Sequence, residues 1–187
     1  MLKNEKFHYI ELQHKKSFIH TLWDIGDAIH QHFKIGVNYK RAAGSVVERV
    51  IKPVGLMFSE FYFYLLGHIE NIDKEKCFKN KKDNYPTIYR VDRIESFEVL
   101  PEHFCVMYKD KFEEGEFRKR VMFMTDGKLR KIRFKYFGKG LEAVLDKIPT
   151  AQVVEKHDDY LVIKAEVFGN GINRWLLGQG EEIEILE

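Results

Sequence analysis

Lys52-Pro-Val-Gly-Leu-Met-Phe-Ser-Glu-Phe-Tyr-Phe-Tyr-Leu-Leu-Gly67 is the stretch from which the rest of the chain can be placed. An apolar run meets a polar break at Ser59-Glu60 and returns as an aromatic run, which predicts a β-hairpin. Upstream, Ile35, Val37 and Tyr39 alternate, Ala42-Ala43-Gly44-Ser45 supplies a turn, and Val46 to Val54 returns as a second strand. The hairpin adds two more strands, and Pro86 to Leu100 continues the series after a charged loop from Lys74 to Asn84. Short strands joined by turns, with no long helix between them, predict a small closed or partly open barrel.

Ahead of the strands, Ser17 offers an N-cap, and Phe18, Leu22, Ile25, Ile29 and Phe33 recur at helical spacing. One amphipathic helix is expected, with a stripe to be buried on the next domain or on a second subunit. Residues 1–11, where Phe7 and Tyr9 alternate, read as a short strand or an extended lead. Residues 101–125 read as a linker with at most one strand, turning at Glu113-Glu114-Gly115-Glu116. Beyond them the order is strand Leu129 to Tyr136, helix Leu141 to Ile148, strand Gln152 to Lys156, strand Leu161 to Val167, helix Ile172 to Leu177 and strand Ile183 to Leu186. That is β-α-β-β-α-β, the ferredoxin-like order.

Phe63-Tyr64-Leu65 resembles the Trp-Tyr-Leu triplet of the WYL domain. In that family a Pro-x-Gly-Leu segment precedes the triplet, matched here by Pro53, Gly55 and Leu56. An Arg-x-Asp-Arg-Ile segment follows after a variable loop, matched by Arg90, Asp92, Arg93 and Ile94. Phe63 keeps the family's aromatic ring and loses the indole donor. The ending Trp175-Leu176-Leu177-Gly178-Gln179-Gly180, followed by alternating Ile183 and Ile185, is similar to the extension that often follows WYL domains. The resemblance implies an α+β protein, an Sm-like or SH3-like barrel followed by the ferredoxin-like unit. The expected division is a helical lead over 1–33, the barrel with its linker over 34–118 and the extension over 119–187.

Hydrophobic residues at 44% and charged residues at 32% fit a globular chain. No apolar run approaches the ~20 residues of a membrane span, and Met1-Leu-Lys-Asn-Glu-Lys lacks a secretory h-region, so a cytoplasmic protein with no membrane contact is expected. Cys77 and Cys105 form no Cys-x-x-Cys pair, and the histidines at 14, 20, 30 and 32 match no metal-binding spacing, so neither a metal nor a cofactor is expected. No phosphate-binding loop or nucleophile elbow occurs. Gly169-Asn170-Gly171 lacks the third glycine of a dinucleotide fingerprint and reads as a turn.

Binding is the better-supported class. If Arg90 to Arg93 is extended, Arg90 and Asp92 share one face while Tyr89, Val91 and Arg93 share the other. At least one guanidinium then reaches a ligand side, with Tyr64 or Tyr39 as a stacking ring or hydroxyl. Arg90, Arg93, Tyr64, Tyr39, Arg49 and Lys52 form the candidate site for an anionic, partly aromatic ligand, a nucleotide or a single-stranded nucleic acid. Against this stands the bland alternative that the tyrosines are core and the arginines pair with Glu48, Asp92 or Glu95.

WYL domains are regarded as ligand-sensing modules of bacterial transcription regulators, so the resemblance favours the binding site. It implies a regulatory module without catalytic residues, and a homodimer is expected because the helix stripe Phe18, Leu22, Ile25 and Ile29 and the two-layer C-terminal unit both offer surfaces that a small barrel leaves uncovered. Such regulators usually carry a winged helix-turn-helix, and residues 1–33 hold one helix. The chain is therefore either the sensor half of a longer regulator, meeting DNA through a separate domain, or a stand-alone accessory protein that binds single-stranded nucleic acid directly. An unrecognised hydrolase is the third reading.

Overall fold

The computed structural model describes residues 19–71, 86–106, 112–125 and 127–186. Outside them lie the expected lead, the N-cap Ser17, Phe18, the loop from Lys74 to Asn84, and Cys77. Helix α1 (Ile19–Gln31) precedes strands β1 (Phe33–Lys40), β2 (Val46–Ser59), β3 (Tyr62–Ile69), β4 (Thr87–Arg90) and β5 (Ile94–His103). These strands form one antiparallel sheet in the order β4-β3-β2-β1-β5.

The Ser59-Glu60 break is the β2–β3 turn, with Ser59 opposite Tyr62 and Glu60 at φ +60°. Where the sequence predicts two strands, Val46 to Val54 and the first arm of the hairpin, there is a single strand of 14 residues. Its pairing with β3 skips a residue between Pro53 and Gly55. Such a bulge accommodates the missing proline N–H and bends the strand without ending it. It also switches the alternation, so that Ile51 and Leu56 reach one core while Val54 and Met57 reach another.

Strands β4 and β5 lie at opposite edges of the sheet, yet only a 3-10 turn of three residues, Val91–Arg93, joins them. The sheet must curl until its edges meet. This turn corrects the expectation of an extended strand through Arg90 to Arg93, and the two-face argument does not apply there. Ile94 N–H bonds back to the Val91 carbonyl, and Arg90 reaches forward to Asp92 inside the turn.

Inside the curl, Ile35, Val37, Ile51, Leu65, Tyr89 and Val91 are buried, and α1 covers them with Ile25 and Ala28. Leu22 and Ile29 pack beside these two. The helix stripe is therefore buried on its own sheet, which removes one of the two grounds for expecting a dimer. Phe33 is not on the stripe: His32, at φ +58°, ends the helix, and Phe33 opens β1.

Residues 101–125 differ from the expected linker and strand. β5 runs on to His103, and a helix, α2 (Glu114–Arg120), follows. Glu114 and Glu116 at its start and Arg118-Lys119-Arg120 at its end suit the helix dipole. The Glu116 carboxylate accepts bonds from Lys119 and Arg120, both at 2.6 Å. Phe117 is the anchor, 4% exposed.

Then come β6 (Leu129–Tyr136), α3 (Leu141–Lys147), β7 (Gln152–Lys156), β8 (Leu161–Phe168), α4 (Gly171–Gly178) and β9 (Ile183–Ile185), in the predicted order. The second sheet pairs as β7-β8-β6-β9, antiparallel throughout. Ile132, Phe134, Tyr136, Ile163, Ala165 and Val167 turn to the face covered by Val144 of α3 and by Ile172 and Leu176 of α4. A third cluster joins the two sheets: Met57 and Leu66 from the first, Phe117 from α2 and Phe168 from the second. The Phe117 and Phe168 rings stack at 5.4 Å.

Candidate functional site

The six candidate residues separate into four places. Tyr39 and Arg49 belong to the inner, α1-covered face: Arg49 lies opposite Val37, whose side chain is in that core. Tyr64 and Arg90 are cross-strand neighbours on the outer face, with Met57 opposite Tyr64 on the other side. Lys52 lies opposite His68 and reaches Glu70 at 3.3 Å. Arg93, half-buried in the 3-10 turn, has no hydrogen bond or ion pair among the described residues.

Arg90 is already engaged. Its guanidinium holds both carboxylate oxygens of Asp92, at 3.0 and 2.7 Å, and lies 3.5 Å from the centre of the Tyr62 ring. The bond to Asp92 raises the arginine's pKa. The Asp92 side chain is 8% exposed, so this fork is largely desolvated. Burial likewise raises the neighbouring Tyr64 hydroxyl, which favours its neutral form. Lys52 shares Glu70 with Lys34, which bonds the same oxygen at 2.7 Å. The bond from Lys34 is the main reason that the Glu70 carboxyl titrates below its ordinary value.

The inner end is different. The Tyr39 and Tyr89 rings meet edge to face at 5.0 Å, and the Tyr39 hydroxyl accepts the Arg90 backbone N–H at 3.3 Å. Tyr89 is 3% exposed, and burial pushes its hydroxyl to about 12 although the guanidinium charges of Arg49 and Arg41 act in the opposite direction. Arg49 donates to the Glu48 carbonyl at 2.8 Å. Among the described residues no carboxylate pairs with Arg49 or Arg41. Two arginines with no carboxylate partner among the described residues thus act electrostatically on Tyr89, where the sheet curls closed. Nothing equivalent exists for a cation: no group of three or more His, Cys, Asp or Glu among the described residues is arranged to hold a metal.

Tyr89 and Arg41 are not among the six residues singled out in the sequence. Tyr89 was legible as the inward neighbour of Arg90, but Arg41 gave no signal, because a cation beside a turn ordinarily reads as solvated surface.

No described helix is long and apolar enough to cross a membrane. Two solved structures resemble the chain at 16% identity each. One is a CRISPR Cas-related protein, with a TM-score of 0.56, covering 91% of this chain and 48% of that one. The other is proteasome accessory factor B/C (PafBC) of Arthrobacter aurescens, with a TM-score of 0.41, covering 89% of this chain and 24% of that one. The chain therefore spans about half of the first and a quarter of the second. No curated protein matches it. Residues 20–99, from α1 to β5, match the model of the WYL domain. Over that segment the chain is similar to the WYL-domain family.

Proposed function

We propose that the chain is a ligand-sensing regulatory module, a binding protein and not an enzyme, which takes an anion at the inner end of its first sheet. Arg49 and Arg41 hold the charge, and the half-buried Tyr39 supplies a ring and a hydroxyl beside it, backed by the buried Tyr89. The carrying observation is the contrast between these two arginines, which have no carboxylate partner among the described residues, and Arg90, whose fork is filled by Asp92. A nucleotide or a phosphate of a single strand fits this chemistry, since guanidinium groups bind phosphate in a fork and rings accept bases. The edge-joining turn supports reading the first sheet as an SH3-like barrel, and the pairing order β7-β8-β6-β9 supports a ferredoxin-like extension.

The test is titration of labelled oligonucleotides and of free nucleotides against wild type, Arg49→Ala, Arg41→Ala and Arg90→Ala at two salt concentrations. Loss of one charge-assisted phosphate contact, at roughly 1.5 to 3 kcal/mol, weakens binding about tenfold to a hundredfold in the first two variants. Affinity for a single strand also falls with salt. Equal affinities for wild type, Arg49→Ala and Arg41→Ala, or no binding of any of these anions, defeats the proposal.

A further inference from the structure

The segment between the sheets carries two features that neither sheet explains. Phe117 of α2 and Met124 both belong to the cluster formed by Met57, Leu66 and Phe168, so this short segment is what fills the space between the outer face of the first sheet and the end of β8. It is also strained. Met122 to Thr125 forms a tight turn closed by the Thr125 N–H on the Met122 carbonyl at 3.1 Å, and its central residues, Phe123 and Met124, sit at φ +51° and +45°. Turns with two left-handed central residues ordinarily use Asn and Gly, because a longer side chain crowds the backbone there. Here the pair persists because each side chain is packed on a different body: Phe123 against the core of the second sheet, Met124 against the inter-sheet cluster.

We propose that residues 114–125 are a sprung joint. Phe117 and Met124 seated on the first sheet hold the second sheet at one angle. The left-handed pair Phe123-Met124 stores strain that is released when those side chains leave their seat. α2 moves with the second sheet, since Arg120 reaches Glu166 at 3.6 Å, Val121 bridges Phe168, and Phe117 stacks on Phe168. The surface that parts is accordingly the apolar one, Phe117 and Met124 against Met57 and Leu66. This reading does not depend on the anion site.

Paired spin labels at Glu95→Cys and Lys164→Cys, with Cys77 and Cys105 changed to Ser, report the angle between the sheets. A narrow distance distribution is expected for the otherwise wild-type chain and for Phe117→Leu, and a broad one for Phe117→Ala with both sheets still folded. An equally narrow distribution in Phe117→Ala overturns the joint. Should Phe117→Ala not fold, hydrogen exchange of the wild-type chain decides: the Val121 and Thr125 amides exchange about tenfold or more faster than those of Ile132 and Ile163, through an opening smaller than global unfolding. Equal rates at all four amides overturn the joint. The strain is tested by Met124→Asn against Met124→Ala, since both remove the seated side chain and only Asn tolerates the left-handed backbone. A higher unfolding midpoint for Asn is expected, and identical midpoints overturn the stored strain.

Discussion

Replacing Arg90 by Ala is expected to cost stability and leave anion binding nearly unchanged. The side chain, 24% exposed, forms a two-point bond to an Asp92 carboxylate that is 8% exposed, and its guanidinium covers the Tyr62 ring at 3.5 Å. Bonds to a charged partner contribute about 1.5 to 3 kcal/mol, and breaking a fully buried pair costs about 3 to 5 kcal/mol. The partial exposure of Arg90 places the loss near the lower figures, about 2 to 3 kcal/mol with the ring contact included. For a chain of this size that corresponds to a fall in Tm of roughly 5 to 10 °C. Urea titration followed by circular dichroism measures it. Asp92→Ala and the double variant complete a cycle, in which a coupling of about 1 to 2 kcal/mol is expected because each single change strands the other group. An unchanged midpoint in Arg90→Ala together with lost anion binding would refute this reasoning and return Arg90 to the ligand.

Three further outcomes are expected. Gly67→Ala should lower stability by about 1 to 3 kcal/mol or more, because the added Cβ would stand 2.3 Å from the Ile51 methyl and 3.0 Å from the Lys52 carbonyl; an unchanged unfolding midpoint would show that β2 and β3 do not approach so closely. Phe63→Ala should cost about 2 to 3 kcal/mol, less than a fully buried aromatic, because the ring is half-buried against the inner core and Phe58; a change below about 0.5 kcal/mol in urea titration would mean it packs on nothing. Glu70 titrates below its ordinary 4.5 chiefly through Lys34, so its contribution is present above that pH and disappears as pH falls through the lower folded value; Glu70→Gln should be less stable than wild type near neutrality and converge with it in acid, and a pH-independent gap would contradict the linkage.

The second sheet was legible because its strands alternate cleanly. Ile132, Phe134 and Tyr136 mark one face of β6, and the turn after Lys156 separates β7 from β8. α2 was not legible: Glu113 to Glu116 around a glycine looks like a turn, and the helix depends on Phe117 finding a pocket made by residues distant in sequence. The sequence divides β2 into a strand Val46 to Val54 and the first arm of the hairpin because the alternation changes phase there, and the bulge against β3 makes that change without ending the strand. Around Arg90, alternation does not give the faces of the side chains, since the 3-10 turn breaks the period at Val91. Whether an arginine is free or paired is a property of its neighbours in space, and no spacing rule supplies that.

The cluster around Met57, Leu66, Ile88 and Phe117 separates two meanings of the word module. The segment recognisable as a family unit ends at residue 99, before α2 begins. The segment that can exist in water without a bare greasy flank extends to the residues that cover that face. What is inherited as a piece and what folds as a piece therefore have different ends. A boundary drawn from sequence similarity would cut through the packing that covers the outer face of the first sheet, and a fusion or transplant of this domain without α2 would leave Met57 and Leu66 without Phe117.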